Sequence, residues 1–351
     1  MRAITVRPGM KGSAELSDVP EPSASDGALL VRALALGVCG TDREIVAAEH
    51  GAAPPGEERL ILGHESFGVI EEAPAGCGFA KGDHVVGIVR RPDPAPCVCC
   101  AAGEWDMCRN GRYTERGIKE RHGYGSERFR VEPDFAVRID PRLRAHGVLL
   151  EPTSIVAKAW DHTDHIVARA PAPRKPRLLV TGAGPIGLLA ALLGTQRGYD
   201  VHVFDRAQKG PKLELTRMLG GRYHVGDAAE IIRDVAPDVL MECTGAAPVI
   251  AAALAQVAPN GVICLAGVSA AGRTEELDLG EINRTLVLQN QLVFGTVNAN
   301  RAHYSAAAAA LAAADPQWLS RLISRRVPLD RWAEALDNRP DDIKVVVDFT
   351  P

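Results

Sequence analysis

The stretch that most constrains this chain runs from Arg177 to Asp205. Leu178-Leu179-Val180 is a short apolar run suited to a buried strand, and Gly182-Ala183-Gly184-Pro185-Ile186-Gly187 completes a G-x-G-x-x-G pattern. Leu188 to Leu193 continues as an apolar segment of helical length, opened by a proline where its missing N–H costs nothing. Val201-His202-Val203-Phe204 reads as a second strand ending at Asp205. Strand, glycine turn, helix and strand in this order form a dinucleotide-binding unit. The pyrophosphate must sit against backbone N–H groups at a helix start with no Cβ intruding, and the last glycine lets helix and strand approach closely. Asp205 falls about 20 residues beyond the loop, where a carboxylate accepts hydrogen bonds from the adenosine ribose of NAD. Arg206 beside it is able to pair with the 2′-phosphate of NADP, so either cofactor, or both, is expected.

Beyond that unit the chain alternates strand-like and helix-like segments. Val239 to Cys243, Val262 to Ala266 and Gln291 to Gly295 read as further strands, which predicts a parallel, doubly wound sheet. Thr244 and Gly245, and then Ala266, Gly267 and Val268, follow two of these strands, at the ends where the ligand crevice lies. They are expected to line the nicotinamide side. Residues 1 to about 150 differ: Gly and Pro punctuate short β-rich runs such as Leu29 to Ala33, Gly68 to Ile70, His84 to Val89 and Phe129 to Val131, which suggests a barrel-like β domain. A proline-rich basic link, 170–176, leads into the glycine loop. Later come an alanine-rich helix over about Tyr304 to Ala314, another near Trp332 to Leu336, and a closing strand over Ile343 to Phe349. If that last strand returns to the first domain, the division is 1–152 with 299–351, and 153–298.

Composition narrows the partners. In 351 residues, 40 basic and 44 acidic side chains leave a net charge of −4, with no electrostatic footprint for nucleic acid or an anionic membrane. No apolar run approaches the ~20 residues that span a bilayer, and the first residues lack an apolar signal segment. A cytoplasmic protein with small-molecule partners is expected. Four of the eight cysteines fall between Cys97 and Cys108, a clustering that fits metal ligation better than disulfides.

Cys39-Gly40-Thr41-Asp42 ends one apolar run, and Gly63-His64-Glu65 follows another apolar pair. A thiolate, an imidazole and a carboxylate are the ligand types of a catalytic zinc, which keeps one position open for substrate. With these residues and the glycine loop together, the chain resembles a zinc-dependent medium-chain dehydrogenase over nearly its whole length. The run Cys39 to Val46 is most similar to the glucose (aldose) dehydrogenase branch. The resemblance implies a GroES-like β-barrel catalytic domain joined to a Rossmann domain, an α/β protein overall. It also implies Cys39 and His64 as zinc ligands, with Glu65 and Glu151 as carboxylates binding directly, through water or in alternation. Thr41 matches the family's hydroxyl that touches the reacting oxygen; its other reading is a threonine capping the following helix.

The same resemblance implies oxidation of the anomeric hydroxyl of a sugar. Glu115, in Arg112 to Ile118, carries over as a contact to sugar hydroxyls, and Asn298 as a second contact beside the cofactor. Two departures, Val89 and Ile155 where the branch has asparagine and aspartate, leave galactose, xylose or a polyol open as substrates. The family's cysteine lobe matches Cys97, Cys100 and Cys108, but its first position falls on Pro94, which cannot ligate. Asp93 or the extra Cys99 would then complete a structural zinc; the alternative is a metal-free loop of reduced cysteines. Relatives of this kind are homodimers or homotetramers, and the apolar run Leu286 to Phe294 is the expected contact. Two rivals remain, a zinc-free reductase of the same superfamily and a non-catalytic nucleotide-binding protein.

Overall fold

The computed structural model describes residues 1–171, 173–269 and 274–350. Ala172, within the proline-rich link, lies outside them. The chain divides into two compact units, one formed by Met1–Ser154 with the segment from Asn298 onward, the other by Ile155–Val297.

The first unit is built on the ten-residue strand Leu29–Val38, whose inward side chains Leu29, Val31, Ala33, Leu36 and Val38 join one apolar core. It pairs antiparallel with Glu65–Glu72, with Arg128–Val131 and with the closing strand Lys344–Asp348. His84–Gly87, Ala136–Arg138 and Ile323–Pro328 complete a seven-stranded sheet. A smaller sheet of Arg2–Val6, Glu15–Asp18 and Leu60–Ile61 adds Ile4, Val6 and Leu60 to the same core. Inside the larger sheet, one close approach admits a buried carboxylate. Gly37 lies opposite Glu65, and a Cβ on Gly37 would come within 1.9 Å of Glu65 Oε2, so only glycine leaves space for that group.

The second unit holds a six-stranded parallel sheet in the order Arg222–His224, Asp200–Phe204, Arg177–Thr181, Val239–Glu242, Val262–Leu265, Leu292–Gly295. The strand order reverses at Arg177–Thr181, with the next strand in sequence on one side and Val239–Glu242 on the other. Ligands bind at such switch points, outside the carboxyl ends of the strands. Leu178, Leu179 and Val180 are fully buried, as is expected for a strand covered on both faces. Helix Pro185–Gln196 is buried along Gly187 to Gly194; a Cβ on Gly187 would lie 1.8 Å from Gly182 O. That contact is the close helix–strand packing the third glycine of the pattern permits.

Element boundaries moved where capping decided them. The alanine-rich helix is Arg301–Ala312, starting three residues before the expected Tyr304, because Asn300 Oδ1 accepts from the N–H groups of Ala302 and His303. The segment near Trp332 is a 3₁₀ run, Leu329–Leu336. Among the described residues no helix is long and apolar enough to cross a membrane, and all eight cysteines are free of disulfides.

A charged cluster braces the first unit. Arg91 Nη2 donates to Glu132 Oε2 at 2.7 Å and Arg121 Nη2 to Glu132 Oε1 at 2.5 Å. Burial alone would raise the Glu132 carboxyl; the hydrogen bond and charge of Arg91, with the charge of Arg121, outweigh it and hold it at about 2. Because this folded value lies below the unfolded one, the contribution is complete above about pH 4.5 and is lost as pH falls toward 2. Glu132→Gln is therefore expected to lower stability at pH 7 by about 1–2 kcal/mol, less than a fully buried pair because the Glu132 side chain is 32% exposed. Denaturant titrations at pH 7 and pH 4 check this: the gap between variant and wild type should narrow at the lower pH, and an unchanged gap contradicts it.

Candidate metal centre and nucleotide loop

Cys39 follows directly on the strand Leu29–Val38 and opens the helix Gly40–Val46. His64 immediately precedes the partner strand Glu65–Glu72. The antiparallel register that sets Gly37 against Glu65 therefore brings both side chains to one end of the sheet. Cys39 Sγ lies 3.2 Å from His64 Nε2, and ligand atoms of Cys39, His64 and Glu65 all lie within 4.8 Å of one another. The cluster is held from behind by two residues that sequence reasoning passes over. Asp42 Oδ2 accepts the Cys39 N–H at 2.9 Å, and its Oδ1 lies 3.6 Å from His64 Nδ1. At that separation the two atoms are charge neighbours and not hydrogen-bonded, and both are buried without a hydrogen-bond partner among the described residues. Lys344 Nζ meets both oxygens of Glu65 at 2.6 Å. Asp42 was readable, since it sits in the same four-residue run as Cys39. Lys344 carried no local signal, because it comes from a strand 279 residues away.

Glu151 stands in the first turn of helix Leu150–Val167, 6% exposed. Burial pushes its carboxyl up to about 7, against the lowering effect of nearby His64. The gathered donor atoms are therefore one thiol, one imidazole and one carboxylate, the ligand types of a catalytic zinc, with Glu151 buried within charge reach of His64 and Glu65. The spacing agrees: a tetrahedral zinc at ordinary bond lengths holds its sulfur and nitrogen ligands about 3.6 Å apart. These residues fit a zinc ion. Thr41 is the second residue of its helix and the N-cap position belongs to Cys39, so the capping alternative for Thr41 does not hold.

Glu115 and Asn298 are brought together within the first unit. Asn298 Nδ2 donates to Glu115 Oε1 at 2.7 Å, and Arg90 Nε and Nη2 donate to the same oxygen at 3.1 and 3.0 Å. Glu115 Oε2 accepts from none of these donors. Arg90, which sequence reasoning misses, is itself held with its guanidinium 3.6 Å over the Tyr113 ring. Only the strand pairing Arg90↔Glu115 reveals it.

In the cysteine lobe, ligand atoms of Cys97, Cys100 and Cys108 gather within 4.8 Å. Hydrogen bonds from the Arg109 and Cys100 N–H groups pull the Cys97 thiol down to about 6, while burial pushes the neighbouring Cys100 thiol up to about 11. Asp93 is not in that group. Its carboxylate accepts from Ala95 N–H at 2.8 Å, Asn110 Nδ2 at 2.8 Å and Arg112 Nε at 3.2 Å, so its oxygens are already committed.

The glycine loop closes the end of the first parallel strand. Nothing lies within 4 Å of a Cβ built on Gly184, which leaves the space over the start of helix Pro185–Gln196, with Pro185 and Ile186 in its first turn, open for a ligand. Asp205 follows its strand as expected, but its carboxylate is already bonded within the chain. It accepts from Ala183 N–H at 2.8 Å and Ala207 N–H at 3.0 Å, and Lys212 Nζ lies 3.3 and 3.1 Å from its two oxygens. Arg206 is exposed. Thr244 and Gly245 are organised by Glu242, a fully buried carboxylate that sequence reasoning also misses, which accepts from Thr244 N–H at 2.7 Å and Gly245 N–H at 3.0 Å. Ala266 and Gly267 follow the neighbouring strand, both donating to Glu242 O, and Val268 beyond them is exposed.

Comparison with known proteins identifies the family. Residues 25–141 match the alcohol dehydrogenase GroES-like domain, and residues 144–349 match the glucose dehydrogenase C-terminus. A glucose 1-dehydrogenase of Methanocella arvoryzae is 39% identical over 360 residues, covering 99% of each chain. One from Thermoproteus tenax is 39% identical over 354 residues, again with 99% coverage of both. Among solved structures, Haloferax mediterranei glucose dehydrogenase in complex with NADP, Zn and gluconolactone superimposes with a TM-score of 0.92, at 31% identity and full coverage of both chains.

The geometry of the Cys39–His64 cluster generates a direct check. After dialysis against zinc and then metal-free buffer, Cys39→Ala protein is expected to carry one zinc fewer per chain than wild type by mass spectrometry. Equal metal contents contradict the assignment.

Proposed function

The chain belongs to the glucose 1-dehydrogenase branch of the zinc-dependent medium-chain dehydrogenases, and on that premise we propose that it oxidises the anomeric hydroxyl of an aldose such as D-glucose, giving the aldonolactone and NAD(P)H. The observation that carries this reading is the cluster of half-buried Cys39 with buried His64 and Glu65, with Asp42 and Lys344 behind it. When bound, zinc lowers the pKa of a hydroxyl brought to it and the nicotinamide takes the hydride.

The chain's own residues supply position and a route for the proton. Cys39 and His64 would hold the cation, with Glu65, paired to Lys344, and Glu151 as the neighbouring carboxylates. Asp42 anchors the Cys39 end of the cluster by accepting its N–H, and its second oxygen places a negative charge beside the His64 ring. Thr41, two residues after Cys39, offers its hydroxyl to the substrate oxygen and takes the first step in carrying the proton away. Glu115 and Asn298 grip the sugar. Their mutual hydrogen bond and the two donors from Arg90 set the remaining oxygen, Glu115 Oε2, toward a sugar hydroxyl. A site built around such hydroxyls rejects analogues that lack them, because its own buried polar groups would be left unpaired. The dinucleotide is held by Gly182, Gly184, Pro185, Ile186 and Gly187, with Asp205 and Arg206 at the adenosine end and Thr244, Gly245, Ala266, Gly267 and Val268 toward the nicotinamide.

In the cysteine lobe we infer a structural zinc on Cys97, Cys100 and Cys108. We also infer a cytoplasmic homodimer or homotetramer, supported by the edge strand Leu292–Gly295 and by Val287 and Leu288, 65% and 66% exposed beside it.

An initial-rate panel of aldoses, polyols and simple alcohols with NAD and NADP tests the reaction. Aldoses, D-glucose among them, should be oxidised, and turnover of simple primary alcohols alone would overturn the sugar assignment. Glu115→Gln is expected to raise KM for glucose about tenfold with a smaller fall in kcat; an unchanged KM contradicts its role.

A further inference from the structure

The rule that an acidic residue after the second strand selects NAD depends on that carboxylate being free. In this chain it is not. An ionised carboxylate offers about four lone-pair sites, and here the Ala183 N–H, the Ala207 N–H and two contacts from Lys212 Nζ fill them. Asp205 and Lys212 side chains are only 13% and 20% exposed, so their attraction is poorly screened. A ribose diol can bond to Asp205 only by displacing the ammonium group.

The placement of Lys212 is itself informative. It is the second residue of helix Pro211–Met218, where the helix dipole favours an acidic side chain and disfavours a cation. Asp205 compensates for that cost. The turn between them is further pinned by the Tyr223 hydroxyl, which donates to Ala207 O at 2.9 Å. Between positions 205 and 212 the chain carries Arg206, Lys209 and Lys212 against the single carboxylate of Asp205, with Arg206 and Lys209 both exposed. The adenosine end of the loop is therefore locally cationic despite its acidic residue.

We propose that Lys212 sets cofactor choice: by pairing with Asp205 it cancels the charge that would exclude a 2′-phosphate, and with Arg206 it makes this a site for NADP in preference to NAD. The proposal rests on the reading of the glycine loop as a dinucleotide site. Lys212 is a specificity residue acting largely through Asp205, and it takes no part in hydride transfer.

Calorimetric titration with adenosine 2′,5′-bisphosphate and with 5′-AMP separates the possibilities, because the two ligands differ only in the 2′-phosphate and no turnover is needed. Wild type is expected to bind the bisphosphate at least about tenfold more tightly. Lys212→Met should bring the two affinities within about twofold or reverse their order, since Asp205 is then an uncompensated anion, while Lys212→Arg should retain the preference. Thermal unfolding of each variant shows that it is folded. Equal affinities in wild type, or a preference that survives Lys212→Met, overturn the proposal. Failure of wild type to bind either ligand overturns the nucleotide reading as well.

Discussion

The contact on which the catalytic unit turns is the buried ion pair of Glu65 with Lys344, 3% and 1% exposed at their side chains. Two charges taken out of water cost more than they return unless each is well partnered. Lys344 answers this by spanning both Glu65 oxygens and donating to Val38 O at 3.3 Å. Its partners and its own backbone occupy three different strands of one sheet, Leu29–Val38, Glu65–Glu72 and Lys344–Asp348. The pair thus fixes the register in which Cys39 and His64 meet, and Gly37 supplies the space that the Glu65 carboxylate needs. Removing the closing strand would strip the centre of Lys344 and leave Glu65 and Glu151 buried together.

The nucleotide unit follows another logic. Its loop is assembled from backbone, with glycines chosen for the Cβ they lack, and its side-chain carboxylates act as braces. The Glu242 carboxylate ties the turn after its own strand, at Thr244 and Gly245, and Asp205 ties the glycine loop to the turn after its own strand. Both spend their hydrogen-bonding capacity within the chain, on backbone N–H groups together with the Lys212 ammonium at Asp205 and threonine hydroxyls at Glu242. That shared habit explains why a residue usually read as a ribose ligand serves here as part of the frame, and why a lysine seven residues on becomes decisive at the same spot.

What could be read from the sequence was what is local. The glycine loop, the strand runs around it and the Cys39 and Gly63-His64-Glu65 motifs each carry their chemistry within a few residues, and the structure places them as strand ends and turns. Lys344 and Arg90 were invisible for the opposite reason: each acquires meaning only through a strand pairing that brings distant segments together. Asp42 lies inside a legible motif, yet its role as a brace depends on where the His64 ring sits, which residue type alone does not tell. The start of the helix at Arg301 was displaced by the cap at Asn300, an effect that alanine propensity does not register. In the cysteine lobe spacing found three gathered thiols, while the bonds of the Asp93 oxygens to Ala95, Asn110 and Arg112 are a matter of folded geometry that spacing does not register.

The central claim is that one cation sits between a thiolate and an imidazole at the end of the Leu29–Val38 strand. Anomalous diffraction from crystals of the zinc-loaded protein, collected on both sides of the zinc edge, addresses it without recourse to activity. The account predicts a peak about 2.3 Å from Cys39 Sγ and about 2.0–2.1 Å from His64 Nε2. A zinc signal confined to the Cys97, Cys100 and Cys108 lobe, with none between Cys39 and His64, would contradict it.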